Sequence, residues 1–251
     1  MKQLTFLITS GPTREYIDPV RYISNESSGK MGAALCGAAL KGGHKVIFIS
    51  GKAQYYPSGK AEIINVISAD DMFKAVKKNF KRADIIIGAA AVSDFKPASF
   101  SKSKIKKKNV LTLKLKQNPD ILAYCGKNKK GKVVAGFALE TDDLIKNAEK
   151  KLKDKNLDLI IANGRQSLGS DETKAIFIRQ IGMRNEELEI NGKKAITNQR
   201  QKGPWLCHSG LDPESIYGLR KGMLSKKIIA EKIINETISI FANIKAGKKL
   251  A

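Results

Sequence analysis

The chain has 251 residues, 46 of them Lys or Arg and 24 Asp or Glu, for a formal net charge of +22, and 42% of its residues are apolar. That apolar share can build a core and excludes an intrinsically disordered basic tail, while the charge demands an acidic partner: nucleic acid, a membrane surface or a phosphorylated small molecule. Three scattered cysteines with no Cys-x-x-Cys pair, and two histidines, leave neither a disulfide framework nor a thiolate or His-rich metal centre to expect.

Short apolar runs alternate with longer amphipathic stretches. Leu4–Ser10 reads as a buried strand and, after Met1-Lys2-Gln3, is too brief for a signal sequence. Met31–Gly42 reads as a small-residue helix stopped at glycine. Val46–Ser50 follows as a strand, Asp70–Lys81 as a helix opened by acids, and Asp84–Ala91 as a third strand. Leu111–Lys116 alternates apolar residues with lysine, as a half-exposed strand should. Val133–Ala138 and Leu157–Ala162 are further strands, with a helix over Asp142–Asp154 between them. This alternation predicts an α/β fold with a mainly parallel sheet covered on both faces. Ligands of such sheets bind at the carboxyl ends of strands, here after Ser10, Ala91, Lys116 and Ala138.

Beyond about Thr173 the pattern changes. Lys174–Arg179 and Glu187–Ile190, joined through Gly182 and Asn185, predict an antiparallel extension at the C-terminal side. Gln199–Gly222 has no period and reads as an inserted excursion, with Trp205 as a packing anchor. Ser225–Ala242 closes the chain as a helix with Ile228, Ile229, Ile233 and Ile240 on one face, and residues 246–251 should fray. No apolar run approaches the roughly 20 residues of a membrane span. The expectation is one cytoplasmic domain over residues 1–251, with no membrane contact.

Four segments carry candidate chemistry. After the first strand come Asp18-Pro19-Val20-Arg21-Tyr22-Ile23-Ser24-Asn25 and Ser27-Ser28-Gly29-Lys30-Met31-Gly32. A Ser-Ser-Gly opening a helix offers free amides and two hydroxyls to a phosphate. It is neither a Walker A loop nor a Gly-x-Gly-x-x-Gly fingerprint. An ordinary capped helix start would explain Ser27, Ser28 and Gly29, but not Arg21 and Asn25 just before them. Next, Gly88-Ala89-Ala90-Ala91-Val92-Ser93-Asp94 puts small residues at a strand end, where a flat ligand can lie against the backbone; close strand–helix packing would account for it equally well. Lys104-Ile105-Lys106-Lys107-Lys108 is mostly solvated charge, in which one lysine reaching a triphosphate would suffice. Finally come Asn118-Pro119-Asp120-Ile121-Leu122, Gly136-Phe137-Ala138, and Lys151 with Lys155, which share a helix face at i, i+4 spacing. Taken alone, Phe137 fits the core better than base stacking, and the two lysines fit plain solvent exposure. Nucleic-acid binding lacks its stacking platforms, because aromatics are 6% of the chain and do not interleave with the lysines.

Together these segments resemble the phosphopantothenoylcysteine synthetase (phosphopantothenate–cysteine ligase) family, from about Leu4 to Asp171 and again from about Met223. The resemblance implies a Rossmann-like three-layer α/β fold, a homodimer, and a ligation needing Mg²⁺. It implies CTP as co-substrate, since the motifs resemble the bacterial members. The substrates would be 4'-phosphopantothenate and L-cysteine, joined through an acyl-cytidylate with release of pyrophosphate and CMP.

By position, Gly88, Ala89 and Ala90 would meet the nucleotide through backbone, and Asp94 would help hold it. Lys104 would bind the triphosphate, with Pro119, Asp120, Ile121, Leu122, Phe137, Lys151 and Lys155 completing that site. Asn25 would hold the acyl intermediate, with Arg21 beside it. Any metal would be held mainly by nucleotide phosphates. The flavin-dependent decarboxylase domain fused upstream in many bacterial members has no counterpart here, which leaves open a separate decarboxylase chain as partner or a removed domain. Gly164 stands where the family often has Asp. The alternatives left open are an NAD(P)-binding Rossmann oxidoreductase, a non-enzymatic basic nucleic-acid-binding protein, and a catalytically damaged paralogue disturbed by the insertion.

Overall fold

A computed structural model describes residues 2–107, 109–140, 143–164, 172–173, 175–180, 205–206 and 224–247. In chain order the elements begin with strands β1 (Thr5–Ser10), β2 (Arg14–Tyr16) and β3 (Tyr22–Ser24), helix α1 (Lys30–Lys41), and strands β4 (Lys45–Ser50) and β5 (Glu62–Asn65). Helix α2 (Ala69–Asn79) runs into a 3-10 turn at Phe80–Arg82, and is followed by β6 (Ile85–Gly88), β7 (Phe95–Pro97), β8 (Leu115–Gln117) and α3 (Ile121–Asn128). The remainder is β9 (Val133–Glu140), α4 (Leu144–Asp154), β10 (Leu159–Gly164), β11 (Glu172–Thr173), β12 (Ala175–Gln180), β13 (Trp205–Leu206), β14 (Leu224–Ser225) and α5 (Lys226–Lys245).

The main sheet has the order β13-β12-β10-β9-β6-β1-β4-β5. From β5 to β10 all neighbours are parallel; β12 and β13 add an antiparallel edge. This is the expected α/β sheet with its antiparallel extension. Strand β12 pairs with β10 and with Trp205–Leu206, whereas the partner expected for it, Glu187–Ile190, lies outside the described residues. The same holds for Gly182, Asn185 and all of the 199–222 excursion except Trp205 and Leu206.

Strand alternation sorts the core into two layers. Phe6, Ile8, Phe48, Ile85, Ile87, Leu159 and Ile161 face α1 and α5. Leu7, Ile47, Ile49, Ile86, Val134 and Ile160 face α2, α3 and α4. Each such side chain contributes about 1.5–3 kcal/mol by leaving water, and the near-continuous apolar runs reflect a sheet buried on both faces. Among the described residues no helix is long and apolar enough to cross a membrane.

Local chemistry sets the helix starts. Ser68 and Asp71 form a reciprocal capping box at α2, and the buried Glu15 carboxylate accepts the Ala69 N–H at 2.8 Å, fastening β2 to that helix. Asp120 caps α3 by accepting the Ala123 N–H at 2.9 Å.

Several expectations need correction. The polar stretch after β1 is no simple loop: β2 and β3 pair antiparallel within it. Leu111–Lys116 is not one strand. Only Leu115–Gln117 is extended, and it pairs with Phe95–Pro97 outside the main sheet. Leu111 and Leu115 remain 46% and 48% exposed, so alternation there has no core face to bury. The third strand stops at Gly88, three residues before Ala91, because Ala89–Ala91 turn toward the end of β1. Ile228 is 44% exposed, off the buried face that Ile229, Ile233 and Ile240 share.

Candidate active site

The carboxyl end of the sheet divides at β1, with β4 and β5 on one side and β6 on the other. Such a switch point leaves a crevice between diverging loops. Here the two loops are stitched together first. Ala91 N–H donates to Gly11 O at 2.9 Å, and Thr13 N–H to Ala91 O at 3.3 Å. Ser93 N–H then donates to Thr13 Oγ1 at 3.0 Å.

Asn25 lies just beyond β3, exposed, and its Nδ2 donates to Val92 O at 3.1 Å. The preceding Ser24 is fixed by its hydroxyl, which donates to Thr13 O at 2.7 Å. The carboxamide that the resemblance places at the acyl group therefore hangs on the same loop as Asp94. The Asp94 side chain is exposed, while its carbonyl accepts the Asn118 N–H at 2.8 Å.

Arg21 is organised by Asp18, a fully buried carboxylate. Asp18 Oδ1 accepts the N–H groups of Val20 and Arg21 at 2.9 and 2.8 Å, and Oδ2 accepts the Ile105 N–H at 3.1 Å. The Arg21 guanidinium lies 3.1 Å from Asp18 Oδ2 and also donates to Ile105 O. Burial opposes ionisation of Asp18, but the three N–H donors and the Arg21 charge outweigh it and hold the carboxyl below its usual range. Lys104, next to Ile105, is exposed, and among the described residues no hydrogen bond or ion pair joins it to the other predicted site residues.

Ser27, Ser28 and Gly29 do open α1. Gly29 takes a positive φ of 82°, and Ser28 O accepts the N–H groups of Gln54 and Tyr55, both at 3.1 Å. A side chain at Gly32 would strike Ser10 Oγ at 2.1 Å, so this glycine lets the helix start press against the end of β1.

Some of the predicted nucleotide residues come together around α3, but the Lys104 side chain and the Phe137 ring do not. Lys155 Nζ lies 2.8 Å from Asp120 Oδ2, and Lys151 Nζ donates to Phe137 O at 2.9 Å. For Asp120 too burial opposes ionisation, and the Ala123 N–H with Lys155 and Lys151 overcomes it, lowering its pKa. Gly88 and Gly136 are register partners on adjacent strands. Cβ atoms there would fall 2.6 and 2.9 Å from the methyls of Leu122, so the two glycines form one seat for that side chain. At Gly88 the close-packing reading thus holds for the side-chain face. Ile121 is buried in the core, Pro119 half-buried, and the Phe137 ring packs toward α1 and α5, leaving its carbonyl on the Lys151 side. Ala89 and Ala90 fall on opposite faces of the sheet, one against each core layer.

A separate cleft of about 600 Å³ opens at the amino ends of β1 and β4, lined by Lys45, Lys60, Glu62 and Arg82 among others. No predicted site residue borders it. Asp18, Thr13, Ser93 and Asn118 are not among the predicted site residues, yet they hold those residues in place. For Asp18 a signal exists: an Asp whose carboxylate accepts the N–H two and three residues on is the turn chemistry that Asp-Pro announces.

The family model for the DNA/pantothenate metabolism flavoprotein C-terminal domain matches residues 1–201. The coenzyme A biosynthesis bifunctional protein CoaBC of Bacillus subtilis is 49% identical over 166 residues, which is 65% of this chain and 41% of that protein. Its counterpart from Borreliella burgdorferi is 44% identical over 184 residues, 72% of this chain and 47% of that protein. The chain thus spans about half the length of these relatives or less. Among solved structures, the C-terminal domain of a CoaBC protein superposes with a TM-score of 0.70 at 28% identity, covering 97% of this chain and 98% of that one. A Cab2 variant in complex with phosphopantothenate-cysteine shares the fold, with a TM-score of 0.68 at 21% identity over 97% of this chain and 88% of that one. The chain belongs to the DNA/pantothenate metabolism flavoprotein C-terminal domain family, which is the phosphopantothenoylcysteine synthetase family that its motifs resemble.

Proposed function

We propose that this chain is a phosphopantothenate–cysteine ligase domain over residues 1–251, joining 4'-phosphopantothenate and L-cysteine at the expense of CTP. One observation carries most weight: the segment Val92–Asp94 bonds to Asn25 on one side and to Asn118, at the head of α3, on the other. Such a link supports an acyl site next to a nucleotide site, as a two-stage ligation requires.

A carboxylate is a poor electrophile because its leaving group would be oxide or hydroxide. Attack of the phosphopantothenate carboxylate on the α-phosphate of CTP forms a C–O–P bond and expels pyrophosphate, giving an acyl-cytidylate. The amine of cysteine then attacks the acyl carbon, loses a proton, and CMP leaves with the former carboxylate oxygen. The first stage brings an anion to a polyanion. Lys104, Lys151, Lys155 and the free amides of Ser27–Gly29 offset that repulsion. In the second stage the Asn25 amide donates to the acyl oxygen while its own oxygen can accept from the incoming amine.

Mg²⁺ is implied by the resemblance. Among the described residues no group of three or more His, Cys, Asp or Glu could hold a metal ion by itself. The exposed Asp94 beside the nucleotide loop fits an ion held mostly by phosphates, since Mg²⁺ usually takes one or two carboxylates plus substrate oxygens. Bound there it would neutralise charge on the triphosphate. Exposed Tyr22, Phe95 and Leu115 beside the site support action as a homodimer.

The direct test is pyrophosphate release with phosphopantothenate, measured with CTP and with ATP, followed by amide formation on adding cysteine. Release that depends on phosphopantothenate and favours CTP is expected; none with either nucleotide would reject the proposal.

A further inference from the structure

Strand β6 ends at Gly88, so the backbone of Val92–Asp94 has no ladder of its own, and its polar groups must find partners elsewhere. Two side chains outside the predicted site supply them. Thr13, fully buried, accepts the Ser93 N–H with Oγ1 at 3.0 Å. Asn118, 7% exposed, donates from Nδ2 to Ser93 O at 2.9 Å, and its own N–H donates to Asp94 O at 2.8 Å.

The peptide unit matters here. The Ser93 N–H held by Thr13 belongs to the same plane as the Val92 C=O that accepts from Asn25 at 3.1 Å. A peptide plane is rigid, so fixing its N–H fixes the direction of its carbonyl. Asn118 restrains the next plane along and prevents the pair from rotating together. Ser93 Oγ and Asn118 Oδ1 are buried with no hydrogen-bond partner among the described residues.

We propose that Thr13 and Asn118 form a paired positioning clamp on the Val92–Ser93 and Ser93–Asp94 planes, which aims Asn25 at the acyl group without touching substrate. The inference rests on the ligase reading above and extends it to residues remote from the reacting atoms. A shift of the order of 1 Å at a positioning group can slow a reaction about 100-fold. The amide-forming stage, which uses Asn25, should therefore carry the effect.

The test compares the unmodified chain with Thr13→Val, Asn118→Ala, the double variant and the conservative Thr13→Ser. Pyrophosphate release, amide formation and hydrogen exchange over residues 89–95 are read for each. Expected is a fall of at least about tenfold in amide formation for Thr13→Val and Asn118→Ala, with a clearly smaller fall in pyrophosphate release and faster exchange in the loop. Thr13→Ser keeps the acceptor and should restore the rate. Because both residues act on one segment, the double variant should be no slower than the slower single. Unchanged amide formation, multiplicative losses in the double variant, or an equal fall in both stages would each overturn the clamp. Should Thr13→Val fail to fold, Asn118→Ala and Thr13→Ser decide by the same ratio of stages. A folded, unmodified chain that forms no amide would overturn the ligase reading itself, which distinguishes that failure from failure of the clamp in an active enzyme.

Discussion

Asp18 and Ile105 stand 87 positions apart, and the Asp18 carboxylate accepts the Ile105 N–H at 3.1 Å. Its other oxygen closes the turn that carries Arg21. One buried carboxylate thus sets both Arg21, proposed for the acyl site, and the loop that carries Lys104.

Asp18→Asn should therefore behave as a loop variant. The amide keeps the size but cannot accept equally at both positions, and its NH₂ would confront an N–H. Lys104→Gln and Asp18→Asn should each raise KM for CTP about tenfold, the loss of roughly one charge-assisted contact. Steady-state pyrophosphate release against CTP concentration checks this. Unchanged CTP kinetics in Lys104→Gln would remove that lysine from the site, and unchanged kinetics in Asp18→Asn alone would show that the loop holds without its anchor.

The same carboxylate contributes to acid stability. Asp18 and Asp120 are both held below their usual value of 3.8, so the folded state favours their ionised forms. Their contribution is fully present above the unfolded-state pKa and is lost as pH falls through the lower folded values. Thermal unfolding between about pH 2 and pH 6 should show Tm dropping below about pH 4. In Asp18→Asn the drop should be shallower and start from a lower plateau. An identical slope in the variant would refute the linkage.

Leu122 fills the seat made by Gly88 and Gly136. Gly136→Ala places a methyl 2.9 Å from a Leu122 methyl, an overpacking cost of about 1–3 kcal/mol. Leu122→Val in the same chain should recover part of that loss. Denaturant unfolding of the two singles and the double checks the coupling, and simple additivity would argue against a shared seat.

Asn25→Asp separates the two chemical stages. An ionised carboxylate cannot donate to the acyl oxygen, so pyrophosphate release should continue while amide formation slows and the acyl-cytidylate accumulates. Oxyanion donors of this kind are worth about 100- to 1,000-fold. Rapid-quench analysis of the intermediate decides it; amide synthesis at the unmodified rate would falsify the assignment.

Much of the architecture is written in local pattern. The runs Phe6–Ile8, Ile47–Ile49, Ile85–Ile87 and Leu159–Ile161 are apolar without interruption because both sheet faces are covered. Helix α4 shows its amphipathic spacing directly, burying Ala148 and Leu152 four residues apart. Short elements escape such reading. Strands β2, β3, β7 and β8 have three residues each, too few to display a period, and the edge strand Glu62–Asn65 is largely exposed. Helix α3 has eight residues and announces itself only through the cap at Asp120.

The sequence alone determined the parallel α/β class and the order of the motifs, because apolar runs, helix period and turn chemistry are properties of neighbouring residues, and the motifs by themselves carry the resemblance to the family. Tertiary structure alone decided that Asp18 reaches Ile105, that Thr13 and Asn118 grip Ser93 from two loops, and that Asp120 meets Lys155. Those contacts join segments distant in the chain, and hydrogen bonds between them depend on angstrom-scale approach after the core has packed, which leaves no periodic trace in the order of amino acids. The net charge of +22 belongs to the first kind of information, and the pairing of Lys155 with Asp120 belongs to the second.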